Sequence, residues 1–181
     1  MQDRFQFLKN SGEIGELILN NDWDSTSIGH IQSWPLSLQI TLYNVLHSKF
    51  PMFLFWGEEF LCFYNEAFQP SLGAEGKHRS MGKKAIVVWG EVWHIIGPLL
   101  QKVYVTGEPV FFENLLVPFY RNGKVEDTYW TFSYSPALGD NGEICGVLVT
   151  CIETTKYLHA KQKPEQTVCA SIPTQRAVWF K

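Results

Sequence analysis

Asp127, with Tyr129 or Tyr134, is a pairing in this sequence whose side-chain types could move a proton. A carboxylate and a tyrosine held on a curved sheet can abstract a proton from carbon, and Asp127 could be paired with either tyrosine in that role. Asp127 and Tyr129 lie two residues apart, so an extended chain puts them on one face. They also sit beside a turn, where an acidic side chain is ordinarily just solvated. No G-x-S-x-G, H-E-x-x-H or phosphate-binding loop accompanies them. The chain is therefore expected not to be an enzyme, with a small α+β isomerase as the alternative. Metal and redox chemistry fare no better. Cys145 and Cys151, six residues apart in one predicted strand, share a face but stand roughly 20 Å apart, beyond disulfide reach. They read as buried small hydrophobes. Cys62 and Cys169 have no Cys or His at metal-ligand spacing, and no C-x-x-C occurs, so no metal is expected.

Charge and length narrow the field further. A formal net charge of −3 with scattered Lys and Arg offers no basic surface for phosphates, which argues against nucleic acid as a partner. No stretch reaches eighteen apolar residues and MQDRFQFLKN is no signal peptide, so a cytoplasmic chain with no membrane insertion is expected. At 181 residues, 45% hydrophobic and 15% aromatic, one domain with appendages can hold its own core without disulfides or metal.

The elements that must carry these residues are legible from spacing. GEIGELILN, residues 12 to 20, predicts a short helix stopped by the turn-rich NNDWDSTSIG. In SWPLSLQITLYNVLHSK, Ser33 can cap a helix and Pro35 sits in its first turn. Trp34, Leu38, Leu42, Val45 and Leu46 line one face of that helix. Burying each large apolar residue there is worth roughly 1.5 to 3 kcal/mol, so the helix needs a sheet or a second subunit to lie on. Met52 to Trp56 and Phe60 to Tyr64 predict two antiparallel strands joined through Gly57-Glu58-Glu59. Asn65 suits the N-cap of a short helix, Glu66 to Leu72, ended by Gly73, and LGAEGKHRSMGKK reads as a loop. A long helix is expected from about Glu91 to Thr106. It is stopped by Gly107, kinked by Pro98, and packed through Trp89, Trp93, Ile96, Leu100 and Val103. Three further strands follow. Val110 to Phe119 turns at Asn122-Gly123 into Asp127 to Ser135, where Trp130, Phe132 and Tyr134 alternate with small polar residues, and GDNGE leads into Ile144 to Glu153.

The sum is an α+β fold: one five-stranded antiparallel sheet, central helices crossing one face, N-terminal helices on the other. The run FPMFLFWGEEFLCFYNEAF is apolar throughout because both faces of its strands are to be covered.

The motifs FPMFLFWG, FYNEAF, VWGEVWHIIGPLL, TGEPVFFENLLVP and YWTFSYSPALGDNGEICGVLVT resemble the PAS sensory domain found near the N-terminus of bacterial sensor and hybrid histidine kinases. The resemblance runs from about Gly12 to Thr155. It implies an N-terminal extension at 1–32, the PAS-like domain with its flanking helix at 33–155, and a tail or truncated linker at 156–181. It also implies a sensory module of a two-component system, relaying detection of a small molecule or partner through dimerisation and its C-terminal junction to kinase output domains. A ligand-free interaction and dimerisation domain is the alternative. Asn65 falls where such domains place the asparagine that opens the first helix after the second strand, with a plain helix cap as the bland reading. Glu153 and Thr155 fall on the acidic residue and threonine that link the last strand to the output helix; a polar strand end is the alternative. A pocket in this fold must be walled by the inner sheet face and the crossing helices, which selects Phe55, Tyr64, Phe68, Ile96, Trp130 and Phe132 as candidate lining. Trp89 and Trp93 read as core anchors.

Departures from the family pattern matter. No phosphoacceptor helix or ATP-binding boxes are present. KYLHAKQKPEQTVCASIPTQRAVWFK carries Pro164 and Pro173 and no sustained heptad. The reactive-cysteine motif of flavin photosensors is missing. Haem-binding members use a histidine on the long helix, and His94 lies there, but beside Gly90, Gly97 and Gln101, a small and polar stripe that faces water or a loop. No cofactor is expected.

Overall fold

The computed structural model describes residues 4–73 and 80–162. Its helices are α1 (Gln6–Lys9), α2 (Gly12–Leu19), α3 (Leu36–His47), α4 (Ala85–Val88), α5 (Trp93–Thr106) and α6 (Thr155–Gln162). Its strands are β1 (Met52–Trp56), β2 (Leu61–Tyr64), β3 (Val110–Arg121), β4 (Lys124–Leu138) and β5 (Ile144–Glu153). They form one antiparallel sheet in the order β2-β1-β5-β4-β3, so the first and last strands in sequence meet in its middle. The fold class and the five antiparallel strands are those the residue pattern predicts, with β3 and β4 longer than expected and β2 shorter.

Alternation divides the sheet. On β1, Phe53 and Phe55 point to the face crossed by α5, which packs against β5, β4 and β3, whereas Leu54 and Trp56 point to the face carrying α3. Four of the five β1 residues are buried for that reason. The α3 face of β1 and β2 is sealed by an aromatic stack: Trp23 lies parallel to Phe63 at 5.1 Å, and Trp34 meets both edge-on at 4.8 and 5.8 Å. Phe5, Leu8, Ile14 and Ile18 complete this layer, so residues 5 to 34 share the core with the sheet.

The N-terminal layer stops at β1. On the same face of β3, β4 and β5, Leu116, Tyr120 and Ile152 remain exposed. On α3 itself Leu36, Ile40 and Tyr43 are also exposed. Both sheet edges, by contrast, are blunted. Residues 82–85 pair with β2 through Cys62 N to Lys83 O (2.9 Å), Gly82 N to Cys62 O (2.8 Å) and Ala85 N to Phe60 O (3.0 Å). The β3 edge carries Pro118, a register shift between Phe112 and Leu115 with Asn114 at φ 52°, and a Tyr120 amide that donates to Glu91 Oε1 at 3.3 Å.

Several local expectations are corrected. Ser33 does not cap α3: its hydroxyl donates to His30 O (2.6 Å) in a 3-10 turn, Pro35 occupies the N-cap, and the first amides of the helix are taken by the distant Asp140. The helix expected from Glu66 to Leu72 shortens to a 3-10 turn, Gln69–Leu72. Phe60 leaves β2 for a left-handed turn position at φ 51°. The long helix begins with a 3-10 turn at Gly90–Val92, preceded by α4, and ends as expected on a left-handed Gly107. Asn122 and Gly123, both at positive φ, make the tight β3–β4 hairpin. Part of the 72–84 loop and the tail beyond Gln162 lie outside the described residues.

Candidate ligand cavity and output junction

Between the inner sheet face and α5 lies a cavity of about 50 Å³. Phe53, Phe55, Phe68, Trp89, Ile96 and Val117 form part of its lining, and Phe119, Trp130, Phe132, Tyr134, Val149 and Cys151 the rest. Strand periodicity assembles this wall: Val117 and Phe119 on β3, Trp130, Phe132 and Tyr134 on β4, and Val149 and Cys151 on β5 are every second residue. The rings are in mutual contact, Phe119 to Trp130 at 5.2 Å, Trp89 to Phe119 at 5.1 Å and Phe132 to Tyr134 at 4.8 Å.

Among the described residues, no charged side chain lines the cavity. The polar end of Trp130 is turned aside, its Nε1–H donating to Thr128 Oγ1 (2.8 Å), which in turn donates to Val117 O (2.5 Å). Burial pushes the Cys151 thiol up to about 12 and raises the Tyr134 hydroxyl as well, so both are neutral at any physiological pH. Its described lining suits a small, uncharged, apolar guest.

Five of the six residues singled out for the lining, Phe55, Phe68, Ile96, Trp130 and Phe132, border this space. Tyr64 does not. It is fully buried on the same sheet face but lies behind Phe53, ring centroids 5.9 Å apart, and burial pushes its hydroxyl up to about 12 despite the Ser80 side chain beside it. Six of the other seven lining residues follow from the same alternation once one inward residue per strand is known; the seventh, Trp89, lies between α4 and the 3-10 turn. Trp89, read as a core anchor, is both anchor and wall; Trp93 is partly exposed and lies over Gly97, where a Cβ would come within 2.8 Å of its ring. His94 is exposed and outside the lining. Asp127 is exposed, and strand alternation puts it on the opposite face from the buried Tyr134.

Asn65 is fully buried and does more than cap. Its Oδ1 accepts from Phe68 N (3.0 Å) and Met52 N (3.1 Å), and its Nδ2 donates toward Val45 O, Ser48 O and Phe50 O at 3.1, 3.1 and 2.8 Å.

At the C-terminal end of β5 the residues converge on Arg121, the last of β3. Its Nη1 and Nη2 donate to the two Glu153 oxygens at 2.8 Å each, its Nε to Glu126 Oε2 at 2.9 Å, and Nη1 also to Ser71 O at 3.2 Å. Burial alone raises the Glu153 carboxyl, but hydrogen bonds from Arg121 and Thr155 outweigh it and hold the group below its ordinary value. Glu153 raises Arg121 in return. Thr155 Oγ1 accepts from Tyr129 N (2.9 Å) and Thr154 N donates to Tyr129 O (2.7 Å), which fastens the start of α6 to β4. The family resemblance points to Glu153 and Thr155; nothing in the sequence points to Arg121, thirty-two positions from Glu153.

Among solved structures, the PAS domain of BvgS from Bordetella pertussis is similar over 68% of this chain and 92% of its own, at 20% identity and a TM-score of 0.51. The chain has the PAS fold. An RNA-binding light-oxygen-voltage receptor is similar over 76% of this chain and 37% of its own, at 15% identity and a TM-score of 0.50. A sensory box sensor histidine kinase from Vibrio cholerae is similar over 64% of this chain and 89% of its own, at 17% identity and a TM-score of 0.45. No protein-family model and no curated protein matches the sequence. No helix of the PAS fold described here is long and apolar enough to cross a membrane.

Proposed function

We propose that this PAS domain is a sensory module. Its interior cavity takes a small apolar molecule, and its β5–α6 junction passes the resulting strain to whatever follows or binds it. The observation that carries this reading is the forked Arg121–Glu153 pair: the side chain that ends β3 grips the side chain that ends β5, on the face that walls the cavity. Movement of Phe119 or Trp130 to admit a guest is thereby felt at the first residue of α6. A two-component histidine kinase is the output context that the sequence motifs favour. The domain works without haem or flavin in this reading, which the exposed His94 and the uncharged lining support.

Homodimerisation belongs to the same proposal. With both edges blunted, association through strand pairing is disfavoured, and the surface proposed for it is the exposed apolar side of α3, Leu36, Ile40 and Tyr43, together with Leu116, Tyr120 and Ile152 on the open half of the sheet.

A second reading, a ligand-free dimerisation domain, draws on the size of the cavity. About 50 Å³ is well below the roughly 300–1,000 Å³ of ordinary ligand pockets. Xenon separates the two, because dry apolar cavities take it up. Under xenon pressure the sensory reading expects amide shifts at Phe132, Val149 and Thr154, abolished by the cavity-filling Ile96→Phe. Silence at all three positions would favour the ligand-free reading.

A further inference from the structure

Helix α3 is held at both ends by side chains that come from the sheet. At its N-terminus Asp140, in the β4–β5 turn, accepts from Leu36 N (3.2 Å) and Ser37 N (2.8 Å). These are amides that a helix cannot satisfy internally. At its C-terminus the Asn65 amide donates toward Val45 O and Ser48 O, and to Phe50 O just beyond. The two attachments differ in what lies behind them. Asp140 is on a surface turn away from the cavity lining. Asn65, through its Oδ1, holds the backbone amide of Phe68, whose ring walls the cavity 5.2 Å from Phe53 and 6.1 Å from Trp130.

We infer that Asn65 couples the cavity to α3, as a positioning residue for a second signal route separate from the Glu153–Thr155 junction. A carboxamide is planar, so its oxygen and nitrogen move as one body. When a guest displaces the Phe68 ring and its backbone follows, the Oδ1 end is drawn with it and the Nδ2 end shifts against the two carbonyls that finish α3 and the Phe50 carbonyl beyond them. The amide is fully buried, so no water is at hand to replace a lost partner, and an unmet group there is costly. The α3 end must therefore follow the amide. Asp140 keeps the other end fixed, which turns the displacement into a tilt about Leu36 that carries the exposed Ile40 and Tyr43 surface with it. This inference rests on the sensory reading for its purpose but not for its test.

The test needs no ligand. In the Phe68→Leu chain the cavity wall changes while every Asn65 bond can still form. Backbone amide shifts relative to wild type are expected at Leu46, His47, Lys49 and Met52, with Leu36 and Ser37 unmoved. Adding Asn65→Ala should remove the α3 part of that response, read as the difference between the Asn65→Ala chain with and without Phe68→Leu. Where Asn65→Ala does not fold, Asn65→Asp serves, because it keeps the acceptor for Met52 and Phe68 but lacks the donor for Val45, Ser48 and Phe50. An α3 end that ignores Phe68→Leu, or that answers it equally in the Asn65 variants, overturns the coupling. Xenon shifts confined to the sheet and the β5–α6 junction would overturn it too while leaving the sensory reading intact. An α3 response to Phe68→Leu in a chain that takes up no xenon would leave the coupling standing alone.

Discussion

Arg121 and Glu153 meet fork to fork, Nη1 to Oε2 and Nη2 to Oε1, both at 2.8 Å, with only 12% of the arginine side chain exposed. Two parallel charge-assisted bonds fix orientation as well as distance, so the last residues of β3 and β5 behave as one rigid joint next to α6. Arg121→Met leaves Glu153 without its counter-charge. Allowing for solvent screening at the rim, a loss of about 2 kcal/mol is expected, or a Tm lower by roughly 4–8 °C in calorimetry. The double change Arg121→Met, Glu153→Met should recover part of that loss. A double variant less stable than Arg121→Met alone would contradict the assignment.

Acid should weaken the fold through the same group. Glu153 and Glu126 are held below their ordinary value of 4.5, Glu126 chiefly by the Arg121 side chain, and Asp140 is held below 3.8 chiefly by the Ser37 amide. A folded-state value below the unfolded one contributes stability that is present above the unfolded value and is lost as pH falls through the folded one. Urea midpoints should be flat above about pH 5.5 and decline below about pH 4.5. Glu153→Gln should lower the plateau and shallow the decline; an unchanged slope would show that Glu153 takes no part.

Enlarging the cavity should make it bind a larger probe. Phe119→Ala is expected to cost about 3–5 kcal/mol and to bring the space nearer the roughly 150 Å³ that holds benzene in a dry apolar site. Benzene should then raise the Tm of Phe119→Ala and leave wild type unmoved. An equal effect on both proteins would place benzene elsewhere.

The open apolar face should control oligomeric state with little effect on folding. Ile40→Glu and Ile152→Glu, both at exposed positions, are expected to change stability by no more than about 0.5 kcal/mol while lowering the mass seen in light scattering from dimer to monomer. A mass that ignores both substitutions would put the interface elsewhere.

Thiol reactivity reports on burial. Cys151 is pushed up to about 12 by desolvation, and Cys62 is raised further, against a smaller pull from the Trp89 side chain. Cys145 is only partly buried. In native protein at pH 8, iodoacetamide should modify Cys145 well before Cys62 or Cys151, which peptide mass mapping would read directly. Early labelling of Cys151 would mean that the cavity wall opens freely.

How far the sequence reveals this molecule depends on how local each cause is. Period-two alternation at Trp130, Phe132 and Tyr134, the Asn122-Gly123 turn and the glycine stop at Gly107 are set by neighbours, and they are legible. So are five of the twelve residues of the cavity wall, Phe55, Phe68, Ile96, Trp130 and Phe132, which need only the inward faces of the helices and strands. Tyr64 was misplaced because its distance from the cavity is decided by Phe53 on the adjacent strand, which alternation along β2 cannot show. The helix cap at Asp140 and the joint at Arg121 were illegible for the same reason. Each links side chains far apart in sequence, 103 and 32 positions, through a sheet order that brings β5 between β1 and β4. Asn65 was legible as a cap but not as a hub, since three of its five partners precede β1.

The central claim is that the cavity and the β5–α6 junction move together. Backbone NMR under xenon pressure, comparing wild type with Arg121→Met, tests it most directly. Shifts at the lining amides Phe132 and Val149 accompanied by shifts at Thr154 and Tyr129, with the latter pair lost in Arg121→Met, are the predicted result. Lining amides that respond while Thr154 and Tyr129 stay still in wild type would contradict it.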